Sequence, residues 1–285
     1  MLMNADNREG ECMRLQDRVI RSGTAALFFV FGLVLFCGPV FAVTTDVDLY
    51  VKIESFEWKE YSTGGSQLMK ESGPIYTLGA STKVNFANSL TCKGRGELFF
   101  GNIDYDGQTW GGTPVETDTD YSGFRIETDV GKIFMISDRS SLEPFVGFGW
   151  KSWLRDLQST ETAAGYAVGY EETWSIVYAR LGMRGDHVFS KQLKLFAEAG
   201  FNLPVYNENV VDLNGLSVTI EPGKEVSLFA EAGITWKNLK TSIFYEGMRF
   251  SKSDLEFIES GGDTYGIYQP ESEADMFGIS IGIAF

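Results

Sequence analysis

The sequence predicts an all-β fold, a ten-stranded antiparallel up-and-down barrel that crosses a membrane, and three observations predict it. Apolar and non-apolar residues alternate with a period of two almost everywhere after Ala42, and no later segment sustains an apolar pattern at helical spacing. Long and short connections alternate along the chain. The composition agrees: 32 glycines and 14% aromatic residues against 7 prolines suit strands, because glycine weakens helices and aromatic rings favour sheets. The net charge of −15 argues against nucleic acid as a partner, since affinity for a phosphate backbone comes from Lys and Arg.

Taken in chain order, the first element is an address. An uncharged run, Leu27 to Phe36, follows Arg14, Arg18 and Arg21 and ends at Pro39-Val40-Phe41-Ala42, the layout of a secretory signal peptide over residues 1–42. A retained membrane anchor is the alternative. Asp6, Glu9 and Glu11 dilute the positive stretch, which makes Met13 a second candidate start. Phe36 is too bulky to precede a lipidated Cys37. Cys12 and Cys37 fall in the leader, so Cys92 stands alone in residues 43–285, excluding an internal disulfide there. No base is near Cys92 in sequence, and it reads as a small apolar strand residue.

The strands follow at about 47–60, 74–84, 90–104, 121–136, 142–154, 173–184, 192–203, 225–236, 239–251 and 274–285. The clearest places Phe277, Ile279, Ile281, Ile283 and Phe285 on one face and Gly278, Ser280, Gly282 and Ala284 on the other. In a soluble sandwich the apolar face would be buried; in a membrane barrel it meets lipid. Three features select the membrane. The second face is rich in Gly, Ser and Ala, which fit a crowded lumen. Trp58, Trp150, Trp153 and Trp174 fall at strand ends, where an aromatic girdle would sit. The connections alternate, long near 61–73, 105–120, 155–172, 204–224 and 252–273, short near 85–89, 137–141, 185–191 and 237–238. Strands of about 11 residues, tilted near 45°, span the roughly 25 Å apolar band.

This leader, the alternating strands and the terminal Gly278-Ile279-Ser280-Ile281-Gly282-Ile283-Ala284-Phe285 resemble a Gram-negative outer-membrane β-barrel protein. The resemblance implies residence in the outer membrane, contact with its lipid and lipopolysaccharide, and recognition of the strand ending in Phe285 by the barrel-assembly machinery. Ten strands is also the number in the omptin family. Asp104-Tyr105-Asp106 atop the third strand is similar to the omptin pair of aspartates, but Tyr206-Asn207-Glu208-Asn209 stands where that family carries Asp-x-His. Without that base the resemblance stays topological, and protease activity is not carried over.

Ten strands enclose a lumen little wider than the eight-stranded one that side chains fill. Lys93, Arg95, Glu97, Arg125, Glu127, Asp129, Lys151, Arg180, Arg184, Lys194, Glu198, Glu231, Glu246 and Arg249 would project into it or its rims. Mixed charges in a narrow space should pair, so a salt-bridged plug is favoured over a conductive path. The repeat Leu195-Phe196-Ala197-Glu198-Ala199-Gly200 and Leu228-Phe229-Ala230-Glu231-Ala232-Gly233 would set two carboxylates on one wall, facing Arg180 or Arg249.

Catalytic signals are thin. The single histidine of the chain, His187, falls in a short turn and reads as structural. Asn102, Asp104, Asp106 and Gly107 match the opening of a calcium loop, but Thr113 replaces the closing Glu. Acids crowd two outer loops: Asp104, Asp106, Glu116, Asp118 and Asp120, then Asp254, Glu256, Glu259, Asp263, Glu271, Glu273 and Asp275, with Trp110, Tyr121, Tyr265 and Tyr268 among them as contact candidates. The reading is a non-catalytic barrel without cofactor, acting structurally or through its outer surface. The alternatives are a small cation-preferring pore and an enzyme with an unfamiliar site at Asp104 and Asp106.

Overall fold

The computed structural model describes residues 42–109, 111–213, 215–260 and 263–285; apart from Ala42, the expected leader lies outside them, as does Trp110. Ten long strands form the wall: β1 (Ala42–Tyr61), β2 (Gln67–Phe86), β3 (Leu90–Gln108), β4 (Pro114–Lys132), β5 (Ser140–Leu157), β6 (Glu171–Ser190), β7 (Leu193–Asp212), β8 (Ser227–Trp236), β9 (Leu239–Phe250) and β10 (Glu271–Ala284). Each pairs antiparallel with its neighbour in sequence. Pairing of β1 with β10, from Asp48 opposite Ala284 to Tyr61 opposite Glu271, closes the barrel. Phe285 completes the seam, its N–H donating to Val47 O at 2.8 Å.

The ten-stranded barrel agrees with the expectation, but the strands are longer. The connections expected at 61–73 and 105–120 shrink to 62–66 and 109–113, and β7 runs on to Asp212. A strand of 20 residues such as β1 rises roughly 66 Å, which a 45° tilt reduces to about 47 Å, nearly twice the apolar band. The wall therefore stands well above the membrane. There the outward face no longer needs to be apolar, so the alternation fades from the sequence while backbone pairing continues. β8 to β10 are shorter, and outer segments stand beside them: a strand at Ser217–Ile220 paired to β7 and a hairpin of Glu256–Ser260 with Asp263–Ile267.

The faces are those of a membrane protein. Leu49, Val51 and Ile53 of β1 and Phe277, Ile279, Ile281 and Ile283 of β10 point outward and are exposed, while Lys52, Glu54, Glu97, Arg125 and Arg180 are buried inside. That arrangement inverts the usual soluble preference.

Parity also corrects the girdle. Trp58, Trp153 and Trp174 point inward, and only Trp150 of the four faces out, with its ring 4.7 Å from that of Phe124. Trp58 shares its face with Lys52 and Glu54, Trp153 with Lys151, and Trp174 with Tyr178 and Arg180, because side chains two apart on a strand point the same way. The three rings meet each other and Phe250: Trp153 stacks on Trp174 at 5.4 Å, and Trp58 and Phe250 each lie 5.2 Å from Trp174. They centre a buried aromatic layer that also holds Phe56, Ile176, Met248 and Met276.

Candidate functional site

Below that layer, toward the short turns, the interior is ionic. Glu97, 1% exposed, accepts hydrogen bonds from Tyr50 Oη at 2.6 Å and Arg125 Nε at 2.8 Å, and Lys52 Nζ pairs with it at 2.8 Å. Arg125 also pairs with Glu246, which Lys151 approaches at 3.4 Å. Arg180 bridges Glu127 at 2.8 Å, Asp129 at 3.2 Å and Glu198 at 3.2 Å. Arg184 joins Glu198 at 2.7 Å, Glu143 at 2.9 Å and Asp129. Glu198 is met as well by Lys93 at 2.8 Å and Arg95 at 3.7 Å, and Arg95 reaches Glu231 at 4.0 Å.

The predicted lumen charges are thus brought together with one exception. Arg249 lies on the outer face, pairing with Asp275 at 2.7 Å and Glu273 at 3.8 Å. It lies three positions beyond inward Glu246, and an odd offset on a strand puts the two on opposite faces. Lys194 sits at the rim with Asp186, 2.9 Å away. Lys52, Lys83 and Glu143 belong to the network and were not singled out in sequence, although Lys52 alternates with Val51 and Ile53 in the expected way. Two tyrosines reach the network by lying over glycine: a Cβ on Gly79 would fall 2.3 Å from the Tyr50 ring, and one on Gly149 2.2 Å from that of Tyr178. Tyr178 Oη then donates to Glu127 at 2.8 Å.

Above the aromatic layer sits a second set of acids. Arg155 pairs with Glu71 at 2.7 Å and Glu172 at 2.9 Å, and Tyr121 donates to Glu71, so Tyr121 is an interior residue and no loop contact. Glu60 accepts from Gln269 Nε2 at 2.9 Å and Trp58 Nε1 at 3.3 Å. Burial, outweighing the nearby Arg155, pushes its carboxyl up to about 7. Glu60 lines a cavity of about 380 Å³ between the aromatic layer and the outer segments, together with Met69, Tyr105, Tyr170, Val211, Ile220 and Ile267. Three other cavities, within the barrel below, are about 20 Å³ each. That is the space of a single water.

The remaining sequence candidates are placed elsewhere. Asn102, Asp104 and Asp106 lie on extended β3, not in a loop, with Asn102 donating to Asp120 at 2.8 Å and Asp104 opposite Asp118. Alternating residues of a strand cannot wrap an ion as a calcium loop does, and among the described residues no His, Cys, Asp and Glu cluster could hold a metal. His187 lies in β6, not in a turn, with Nδ1 2.9 Å from Ser140 Oγ near the short-turn rim. The acids Asp104, Asp106, Glu116, Asp118 and Asp120 are exposed as expected, but on strand faces.

Among solved structures, the outer membrane protease OmpT of Escherichia coli is 11% identical over 86% of this chain and 97% of its own, with a TM-score of 0.57, a likeness of fold alone. The translocator domain of the autotransporter NalP from Neisseria meningitidis is 12% identical over 97% of both chains, with a TM-score of 0.41. No curated protein matches the chain. The autotransporter beta-domain family model matches residues 65–245. A match over more than half of the 285 residues, on a closed antiparallel barrel with an apolar coat, makes this chain a member of the autotransporter beta-domain family, resident in the Gram-negative outer membrane.

Proposed function

We propose that this protein is a closed, non-catalytic barrel that acts from its outer rim as a surface-interaction protein. The observation that carries the reading is the filled interior: an ion-pair network capped by an aromatic layer, with three cavities below that cap each no larger than one water. A hydrated cation passing along the axis would have to displace Arg180, Arg184 and Trp174 from their partners. The exposed acids of β3 and β4 and Tyr265 of the outer hairpin supply the contact surface, suited to divalent cations bridging lipopolysaccharide or to a basic partner. Phe285, at the seam, is the proposed handle for the barrel-assembly machinery. Planar-bilayer recordings on the refolded barrel are expected to show no unitary conductance steps, and stable steps would overturn the closed reading.

Translocation is the second reading, favoured by the family itself. An α-helix with its side chains is about 10–12 Å across, so passage of a polypeptide would require the whole ionic layer to come apart. Catalysis at Asp104 and Asp106 has less support, because the two lie on an exposed outward strand face, opposite Ser72 and Lys70, and not in an enclosed site.

A further inference from the structure

We propose that the cavity above the aromatic layer is a binding site for a small amphipathic cation, an ammonium or amidinium group on an apolar body, with the charge held at Glu60. Its volume of about 380 Å³ lies in the range of small-molecule sites, which run from roughly 300 to 1,000 Å³. Met69, Val211, Ile220 and Ile267 give it an apolar wall; Tyr105 gives it a ring face, while Tyr170 and Tyr268 already carry Arg155 at 5.9 Å and Lys252 at 4.2 Å. Such a lining suits a ligand with a hydrocarbon part, and aromatic faces attract cations.

The polar groups decide the sign of the charge. Both donors that reach Glu60, Trp58 Nε1 and Gln269 Nε2, go to Oε1, and no described group donates to Oε2. Asn209, fully buried behind the wall, donates through Nδ2 to Gln269 Oε1 at 3.2 Å and so steadies the amide that reaches Glu60. Glu60 Oε2 is therefore an open acceptor on the cavity wall, and a donor-only group such as an ammonium complements it. Charge counting agrees. Glu60, Glu71 and Glu172 face one matching cation, Arg155, which is already committed to Glu71 and Glu172. A bound cation would supply the counter-charge that Glu60, half-buried, lacks among the described residues. The ionic layer blocks the way from the short-turn side, and the lining includes Thr109 and Tyr268 from outer connections, so the ligand enters from outside. The site goes beyond the rim-interaction reading and rests on it only for that direction of entry.

The test titrates the refolded barrel in detergent with benzylammonium and with its neutral analogue benzyl alcohol, following tryptophan fluorescence, since Trp58 bonds to Glu60 itself. Saturable binding of benzylammonium, at least tenfold tighter than benzyl alcohol and weakened at least tenfold by Glu60→Gln, is expected. Equal affinity for the two probes, unchanged affinity in Glu60→Gln, or no saturable binding at millimolar probe would overturn the site. If Glu60→Gln fails to fold, Ile267→Trp fills the cavity while leaving the carboxylate in place. Binding retained in that folded variant would overturn the proposal equally. Bilayer conductance is read separately, so failure of the closed-barrel reading is distinguishable from failure of this one.

Discussion

The two halves of the barrel interior solve the same problem with different chemistry. Toward the short turns the lumen is packed with carboxylates, guanidiniums and ammoniums in close contact, whereas toward the outer rim it is packed with Trp58, Trp153, Trp174 and Phe250. An ionic layer is demanding: each charge has lost its water, so every partner must stay in place. An aromatic layer is more forgiving, because rings lose contact gradually and need no specific counter-charge. The difference teaches that the ionic layer fixes register, through pairs that join β3, β4, β6 and β7 at defined heights, while the aromatic layer fills space beneath a cavity.

The largest effect is expected where one group serves most partners. Glu198→Ala leaves Lys93, Arg95, Arg180 and Arg184 short of a counter-charge and is expected to cost about 3–5 kcal/mol, read as a lowered urea midpoint in detergent. The loss should barely change with added salt, since these groups are nearly all shielded from solvent. Trp174→Ala in the other layer should cost about 3 kcal/mol, near the low end for a buried tryptophan, because the neighbouring cavity lets the layer relax. Equal sensitivity to the replacement of Trp174 by Leu and of Glu198 by Leu would erase the distinction between the layers.

Much of this division was legible in the sequence and some was not. The lumen charges were found because the period of two assigns Arg125, Glu127 and Asp129 to one face whatever the tertiary structure does. The same period puts Trp58 beside Lys52 and Glu54, and Arg249 opposite Glu246; a girdle position for Trp58 and a lumen position for Arg249 both conflict with that parity. The height of the wall was hidden for a physical reason. From Asn102 to Gln108 and from Glu116 to Asp120 the outward residues are polar, since water has replaced lipid there, and hydrophobic alternation carries no signal. The upper cavity could not be read at all, because its lining comes from β1, β2, β3, β6, β7 and four outer connections with no local motif in common.

A smaller effect separates the outer half by pH. Glu60 lies above the apolar band and its carboxyl is raised to about 7 by burial, with Glu172 and Glu71 adding to the shift and Arg155 opposing it. Between the unfolded value near 4.5 and about 7 the folded state holds a proton that the unfolded state has lost. Stability contributed by this group is therefore full below that window and falls as pH rises through it, by at most about 1.4 kcal/mol per pH unit. Glu60→Gln should flatten the slope of the urea midpoint between pH 4.5 and 7, while Glu198→Ala should leave that slope in place. A slope unchanged by Glu60→Gln would show that the pH response of the outer half belongs to another group.

The smallest expected effect lies outside both layers and calibrates them. In the turn between β8 and β9, Lys237 holds φ at 57°, a left-handed conformation that costs a side-chain-bearing residue roughly 1 kcal/mol and glycine almost nothing. Its amide donates to Gln192 O at 2.7 Å, which holds the turn in that shape, so relief must come from the residue. Lys237→Gly removes the strain but gives the unfolded chain more freedom, and the two partly cancel. A gain of about 0.5 kcal/mol is expected, visible as a small rise in the urea midpoint with no change in pH slope or salt response. A change as large as that of Trp174→Ala would mean that the turn, and not the filled interior, governs the stability of this barrel.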